Sequence, residues 1–182
     1  PYRNDNPDAR EALPEVRRLI FEGKYKEAQD LVNAKFISKI SNGMPYQTVG
    51  NLRLTFPGHE NYSGYYRELD IDKAIVSSRY TVNGAKYETS LFSSAPDQVI
   101  VYQISADKNG AVSFSATMDR PSKVEVSTNG NNEMILTGLT SDFEKVKGNL
   151  LKFEARVKIV VAGGEVSASD TSLIVSNANS AT

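Results

Sequence analysis

The sequence predicts an all-β domain of stacked antiparallel sheets with a helical hairpin at its N-terminal end, and three observations carry that reading. Tyr80-Thr81-Val82 and Ala85-Lys86-Tyr87 flank Asn83-Gly84. An Asn-Gly pair between alternating runs is the strongest short-range hairpin signal, because both central residues of a type I′ turn take positive φ. Two further runs, Ala111 to Asp119 and Leu151 to Val161, alternate apolar and polar residues with the period of two that a strand imposes. The length of 182 residues suits one large β domain, since sandwiches and barrels use such lengths without splitting.

Pro1 to Asp8 is polar and reads as a turn-rich entry. Helical periodicity starts near Leu13-Pro14, where a proline is tolerated in a first turn and Glu15 suits the positive helix end. Val16, Leu19 and Ile20 share a face; Gly23 interrupts, and Tyr25, Ala28, Leu31, Val32 and Phe36 resume the spacing on a second helix. The two helices, over about residues 13–38, form a hairpin that docks on an edge or face of the sheets or on a neighbouring domain.

After the break at Ser41-Asn42-Gly43 and Pro45, Tyr46 to Phe56 reads as a strand and Pro57-Gly58 ends it. Tyr65 to Ile71 follows, with Leu69 and Ile71 facing one way and Glu68, Asp70 and Asp72 the other. The Ala74 to Phe92 hairpin comes next. Val99 to Ile104, apolar on both faces, is expected to be a deeply buried central strand. In Ala111 to Asp119, Val112, Phe114, Ala116 and Met118 oppose a wet face of Ser113, Ser115, Thr117 and Asp119. Short strands are expected at Lys123 to Ser127 and Glu133 to Leu136, around the turn pair Asn129-Gly130. Leu151 to Val161 directs six apolar side chains one way, and burying them is worth on the order of 10 kcal/mol gross, most of which offsets chain ordering. Gly163-Gly164 turns the chain into a last strand, Thr171 to Val175, before a small polar tail, Ser176 to Thr182. With no repeat period and no linker, residues 1–182 read as a single domain.

A net charge of −1 supplies no field to gather nucleic acid or anionic lipid. The lack of cysteine excludes disulfides, thiolate nucleophiles and Cys-type zinc sites, and a single histidine, His59, excludes any His-His metal pair. No apolar run is long enough to span a bilayer, and the start at Pro1 suggests an excised or processed piece.

Asp70 and Asp72 sit two apart on one strand and could share a cation or a proton, although a solvated strand face explains them more simply. His59 follows Phe56-Pro57-Gly58 on a loop after a strand, where substrate contacts are often placed; the alternatives are a structural hydrogen bond or plain exposure. Tyr62, Tyr65 and Tyr66 around Gly64 could form a stacking platform for sugar rings, or pack in the core and at a sheet edge. One histidine and no Gly-x-Ser-x-Gly rule out a serine triad, and no phosphate-cradling glycine loop is present. Arg17, Arg18, Lys24, Lys26 and Glu27 read as a solvated helix face. Asn61-Tyr62-Ser63 fits the N-glycosylation pattern, which matters only on a eukaryotic secretory route.

The order of features resembles the N-terminal domain of glycoside hydrolase family 95, the α-L-fucosidases. The resemblance rests on Leu13-Pro14-Glu15-Val16-Arg17-Arg18-Leu19 with Gly23-Lys24-Tyr25-Lys26-Glu27-Ala28, on Tyr46-Gln47 with Gly50-Asn51-Leu52, on Phe56-Pro57-Gly58-His59, on Tyr66-Arg67-Glu68-Leu69-Asp70, and on Phe92-Ser93-Ser94-Ala95-Pro96-Asp97-Gln98-Val99.

It implies an antiparallel β-supersandwich, galactose mutarotase-like, that packs against an (α/α)6 barrel downstream in the same parent chain. That barrel holds the acid and base for inverting hydrolysis of α-L-fucosides, so no catalytic residue, metal or cofactor is assigned to these residues. Under the resemblance the chain begins after the family's first strands, which leaves an unpaired sheet edge open to self-association. The parent would meet fucosylated glycans, or α-L-galactosides, in a secreted or periplasmic setting, with His59 on the rim of the barrel's active site. The other reading is a free-standing carbohydrate-binding or interaction module that uses Tyr62, Tyr65 and Tyr66.

Overall fold

The computed structural model of the chain describes residues 6–38, 46–140, 148 and 151–182. They divide into two compact units, one helical and N-terminal, the other built of strands from Thr48 onward.

The helical unit holds α1 (Ala9–Phe21) and α2 (Tyr25–Lys35). Helix α1 starts a turn earlier than its proline suggests, so Pro14 lies inside it and brings no N–H to the carbonyl of Arg10. Asn6 sets that start: its Oδ1 accepts the Asp8 N–H at 3.1 Å, its carbonyl accepts the Ala9 N–H at 3.1 Å, and its side-chain amide donates to the Ile37 carbonyl at 3.0 Å. Gly23, with φ of 74°, ends α1 in a left-handed cap in which the Lys24 N–H reaches the Leu19 carbonyl and the Gly23 N–H reaches that of Ile20. Val16, Leu19 and Ala28 are buried between the helices. Arg18 bridges Glu15 and Glu22 on the solvent side, as the charged-face reading expects.

The second unit contains thirteen strands among the described residues. These are β1 (Asn51–Thr55), β2 (Ser63–Asp70), β3 (Ile75–Val82), β4 (Ala85–Ser94), β5 (Val99–Ala106), β6 (Val112–Asp119) and β7 (Val124–Asn129). After them come β8 (Glu133–Leu139), β9 (Lys152–Lys158), β10 (Val161–Ala162), β11 (Glu165–Ser169), β12 (Ser172–Ala178) and β13 (Ser180–Ala181). They pair antiparallel into three sheets, ordered β1-β6-β12-β11, β10-β13-β5-β4-β3-β2 and β7-β8-β9. The most deeply buried side chains come from all three: Ile104 from the six-stranded sheet, Val112, Leu173 and Val175 from the four-stranded one, and Met134 and Leu136 from the three-stranded one. A single core therefore joins the layers.

The Asn83-Gly84 hairpin forms as read, with φ of 48° and 72° at its two central residues. Strand β6 alternates cleanly, Val112, Phe114, Ala116 and Met118 all being buried. Its opposite face is half-buried rather than wet.

Other expectations need correction. Tyr46 to Gly50 is not strand; only β1 forms, and among the described residues nothing covers Tyr46 or Val49, which stay exposed. Strand β2 stops at Asp70, so Ile71 and Asp72 lie in a turn, and Leu69 and Ile71 are exposed. Val99 and Ile100 are 47% and 76% exposed, and only the far end of β5, at Ile104, is buried. Of the six apolar residues from Leu151 to Val161, only Ile159 is buried; β9 is the outer strand of its sheet and Leu151 remains exposed. The small polar tail is strand: Ala178 and Ala181 sit in the core, and β13 slots between β10 and β5.

That last step moves the chain from one sheet to another at Asn179. Its N–H donates to the Ala162 carbonyl at 2.8 Å, its carbonyl accepts the Ala106 N–H at 3.3 Å, and its Oδ1 accepts the Gly110 N–H at 2.8 Å. An apolar cleft of about 980 Å³ opens among β1, β5, β6 and β9, lined by Leu52, Leu54, Ile100, Tyr102, Met118 and Val157.

Candidate functional site

The Pro57-Gly58 turn places the one histidine. The chain leaves β1, Gly58 takes φ of 81°, and the His59 N–H closes back on the Phe56 carbonyl at 3.3 Å. This directs the imidazole inward, where it is half-buried among aromatic rings. Its centroid lies 5.3 Å from Phe56, 4.6 Å from Tyr87 and 5.7 Å from Tyr80. Nδ1 sits 3.2 Å from the Tyr80 hydroxyl, a hydrogen bond whose donor follows the imidazole tautomer.

Beneath the histidine, Tyr80 and Tyr87 are direct partners across the β3–β4 ladder and stack at 5.3 Å. The Tyr87 hydroxyl donates to the Ala111 carbonyl at 3.0 Å, and Phe56 leans on Phe114 at 5.1 Å, so the cluster runs into the core. Tyr62 and Tyr65, both more than half exposed, cover Tyr80 from outside at 6.4 and 6.5 Å.

Burial shapes the chemistry of these groups. It holds the His59 imidazole below its ordinary range, with the nearby Glu60 carboxylate pulling weakly the other way. Desolvation, followed by its tyrosine neighbours, pushes the Tyr80 hydroxyl up to about 12, and Tyr87 and Tyr102 are raised mainly by burial. Burial thus favours the uncharged forms of His59, Tyr80, Tyr87 and Tyr102, and the cluster offers stacking faces and hydroxyls.

Of the four residues singled out in the sequence, the structure brings His59, Tyr62 and Tyr65 together around Tyr80. Tyr66 lies apart, because neighbouring strand residues take opposite faces. Its ring lies 4.7 Å beneath the Arg79 guanidinium, and its hydroxyl donates to Glu68 at 2.9 Å. Tyr80 and Tyr87 are the members that sequence reasoning missed. Their signal was present, since they stand at symmetric distances from Asn83-Gly84 and a type I′ turn sets them opposite one another.

Asp70 and Asp72 do not form an acid pair. Asp70 Oδ1 accepts the Asp72 and Lys73 backbone N–H groups at 3.1 Å each and Oδ2 meets the Lys73 ammonium at 3.1 Å, which holds its carboxyl below the usual range. It caps the β2–β3 turn. Among the described residues no three of His, Asp or Glu converge as a metal site, and no helix is long and apolar enough to cross a membrane.

The family model for the glycosyl hydrolase family 65 N-terminal domain matches residues 1–182. The chain belongs to that family. Family 65-type N-terminal domains share their clan with those of family 95, in agreement with the resemblance read from the sequence. This family 65-type domain is similar to Alpha-L-fucosidase 2 of Arabidopsis thaliana, 39% identical over 72% of the chain and 16% of that protein. It is similar too to Probable alpha-fucosidase A of Aspergillus niger, 29% identical over 89% of the chain and 20% of that protein. The corresponding Aspergillus oryzae protein is 28% identical over 58% of the chain and 14% of its own length. The domain thus spans a fifth or less of the curated relatives it matches.

Proposed function

We propose that this domain is the non-catalytic N-terminal part of an inverting α-L-fucosidase-type glycoside hydrolase. Its sheets form a β-supersandwich that packs against an (α/α)6 catalytic barrel of the same polypeptide. The observation that carries the reading is the 39% identity to an α-L-fucosidase over most of the chain, within a whole-length match to a glycosidase N-terminal family. The acids support it: Glu15, Asp70, Asp119 and Glu133 are each held by surface cations or turn amides, and each carboxyl is correspondingly lowered. A glycosidase acid needs the opposite shift.

In this reading the Phe56–Glu60 loop is the part lent to the rim of the barrel's active site. His59 is its anchor, bonded inward to Tyr80, while Gly58 and Glu60 form its exposed surface. The parent acts on terminal α-L-fucosides, with α-L-galactosides, which differ by one hydroxyl, as the alternative. Half-exposed Tyr62 and Tyr65 favour a second reading, a sugar-binding module, because flat aromatic faces stack on pyranose rings.

An aryl α-L-fucoside separates these readings. The 182-residue chain should release nothing above background, whereas the longer parent polypeptide turns the substrate over. Turnover by the short chain, abolished by one carboxylate substitution, would overturn the proposal. Millimolar or tighter binding of L-fucose by the short chain in isothermal titration would favour the module.

A further inference from the structure

The six-stranded sheet turns Tyr80, Tyr87 and Ile104 toward the core and presents a row of unlike polar groups on its other face. In that row Tyr66 pairs with Arg79, Arg79 with Glu88, and Glu88 with Ser105, across β2, β3, β4 and β5. Two residues along the strands a second row runs through Glu68, Ser77, Ser90 and Gln103. A strand added at either edge of the sheet leaves this face as it is, because a ladder extends in the plane of the sheet.

Glu68 is fully engaged: its Oε2 accepts the Tyr66 hydroxyl at 2.9 Å and its Oε1 accepts the Ser77 hydroxyl at 3.2 Å. The first of these bonds fixes the phenol end of a ring that is still 46% exposed. The Arg79 guanidinium lies 4.7 Å over that ring and makes no ion pair among the described residues, although Glu88 is its direct ladder partner. The exposed side chains of Glu88 and Gln103 make no hydrogen bond or ion pair among the described residues either. An oriented aromatic ring, a guanidinium fork, a carboxylate and an amide therefore share one face, spread over roughly 14 Å, the width of three strand spacings.

Charge decides what such a face takes up. Arg79 stands against Glu68 and Glu88, one positive group against two negative ones, so phosphates, sulfates and uronates are disfavoured. A neutral sugar suits it, because each hydroxyl both donates to a carboxylate and accepts from a guanidinium or amide, while the C–H face of a pyranose lies on the solvent side of the Tyr66–Arg79 stack.

We infer that the outer face around Tyr66, Arg79, Glu88 and Gln103 is a binding exosite for a neutral saccharide, on the opposite side of the sheet from Tyr65. Membership in a glycosyl hydrolase N-terminal family supplies the setting for such a ligand. The exosite holds a polymeric or branched glycan and takes no part in bond cleavage.

Nitrogen-15 NMR of the 182-residue chain, titrated with 2′-fucosyllactose and with maltotriose, tests the assignment, with a sulfated chondroitin tetrasaccharide as the anionic comparison. At tens of millimolar, at least one neutral saccharide should shift the Arg79 Nε–H and Gln103 side-chain amide signals. Tyr66→Ala and Glu88→Gln should each weaken that response by about five- to tenfold, the second without lowering the melting temperature, while Tyr65→Ala leaves it unchanged. Silence with both neutral saccharides would overturn the inference, as would shifts confined to Tyr62 and Tyr65 or an equal response to the sulfated probe. Any of those results would leave the non-catalytic reading of the domain standing, since that reading is tested by turnover.

Discussion

Tyr80 and Tyr87 stand directly opposite one another on β3 and β4, their rings 5.3 Å apart and within 11° of parallel, and the His59 imidazole closes over both. Loop position thus depends on a turn on another part of the chain: Asn83-Gly84 sets the tyrosine pair, and the pair seats the histidine. Aromatic pairs of this kind contribute about 0.5–1.5 kcal/mol each beyond simple burial.

His59 is held below its ordinary range, so the folded state prefers the neutral imidazole. The unfolded chain then binds the proton more tightly, and the stability contributed by this group is fully present above the ordinary histidine value and is lost as pH falls through the lower folded one. Urea midpoints measured between pH 5 and 7.5 should fall toward the acid end more in the wild type than in His59→Gln. Parallel curves would show that the imidazole is not desolvated.

At the alkaline end Tyr80 acts in the opposite sense. Its hydroxyl is pushed up to about 12, so stability present below the ordinary tyrosine range near 10 should be lost as pH rises through the folded value. Ultraviolet titration of tyrosinate should show a late-ionising group that Tyr80→Phe removes. That substitution should also cost about 1 kcal/mol at neutral pH through the lost bond to His59.

Gly138 leaves room for a neighbouring ring. A Cβ there would lie 2.5 Å from Phe153 Cζ and 2.9 Å from Val124 Cγ1, and the Arg120 guanidinium lies 4.4 Å over the same ring. Gly138→Ala should destabilise by about 1–3 kcal/mol, read as a lower denaturant midpoint. Phe153→Leu in the same chain should recover part of the loss, whereas simple loss of backbone freedom would leave it unrecovered.

Two glycines separate backbone strain from crowding. Gly130 takes φ of 63° with nothing within 4 Å of a Cβ, whereas Gly164 takes φ of 65° with the Ser176 carbonyl and the Ala178 nitrogen in the way. Gly130→Ala should cost about 1 kcal/mol and Gly164→Ala at least about 2 kcal/mol more, because backbone cannot yield as a side chain does. Equal midpoints would contradict the crowding at Gly164.

Local signals in the sequence were readable where one neighbour decides the outcome. The Asn83-Gly84 turn, the alternation of Val112 to Met118 and the break at Gly23 are all settled within a few residues. Expectations failed where burial depends on a layer contributed from elsewhere. Val99 and Ile100 have the composition of a central strand, yet among the described residues that half of β5 is paired on one side only, by β4. Ser176 to Thr182 has the composition of a tail, yet Ala178 and Ala181 are carried into the core by the bonds of Asn179. In the aromatic cluster the histidine and two tyrosines were legible as a loop feature. That Tyr66 belongs to Arg79 and Glu68 instead depended on strand phase around Gly64, where the β2–β3 register shifts.

The insertion of β13 between β10 and β5 has a consequence for biosynthesis. Ala181, 3% exposed, belongs to a strand that follows both of its sheet neighbours, β5 and β10, in chain order, so during translation that end of the six-stranded sheet cannot close until β13 has cleared the ribosome. Up to that moment β10 has no ladder partner, and the nascent domain must be kept from premature association. Within the 182-residue chain, truncation before Asn177 should accordingly yield a polypeptide that chaperones retain.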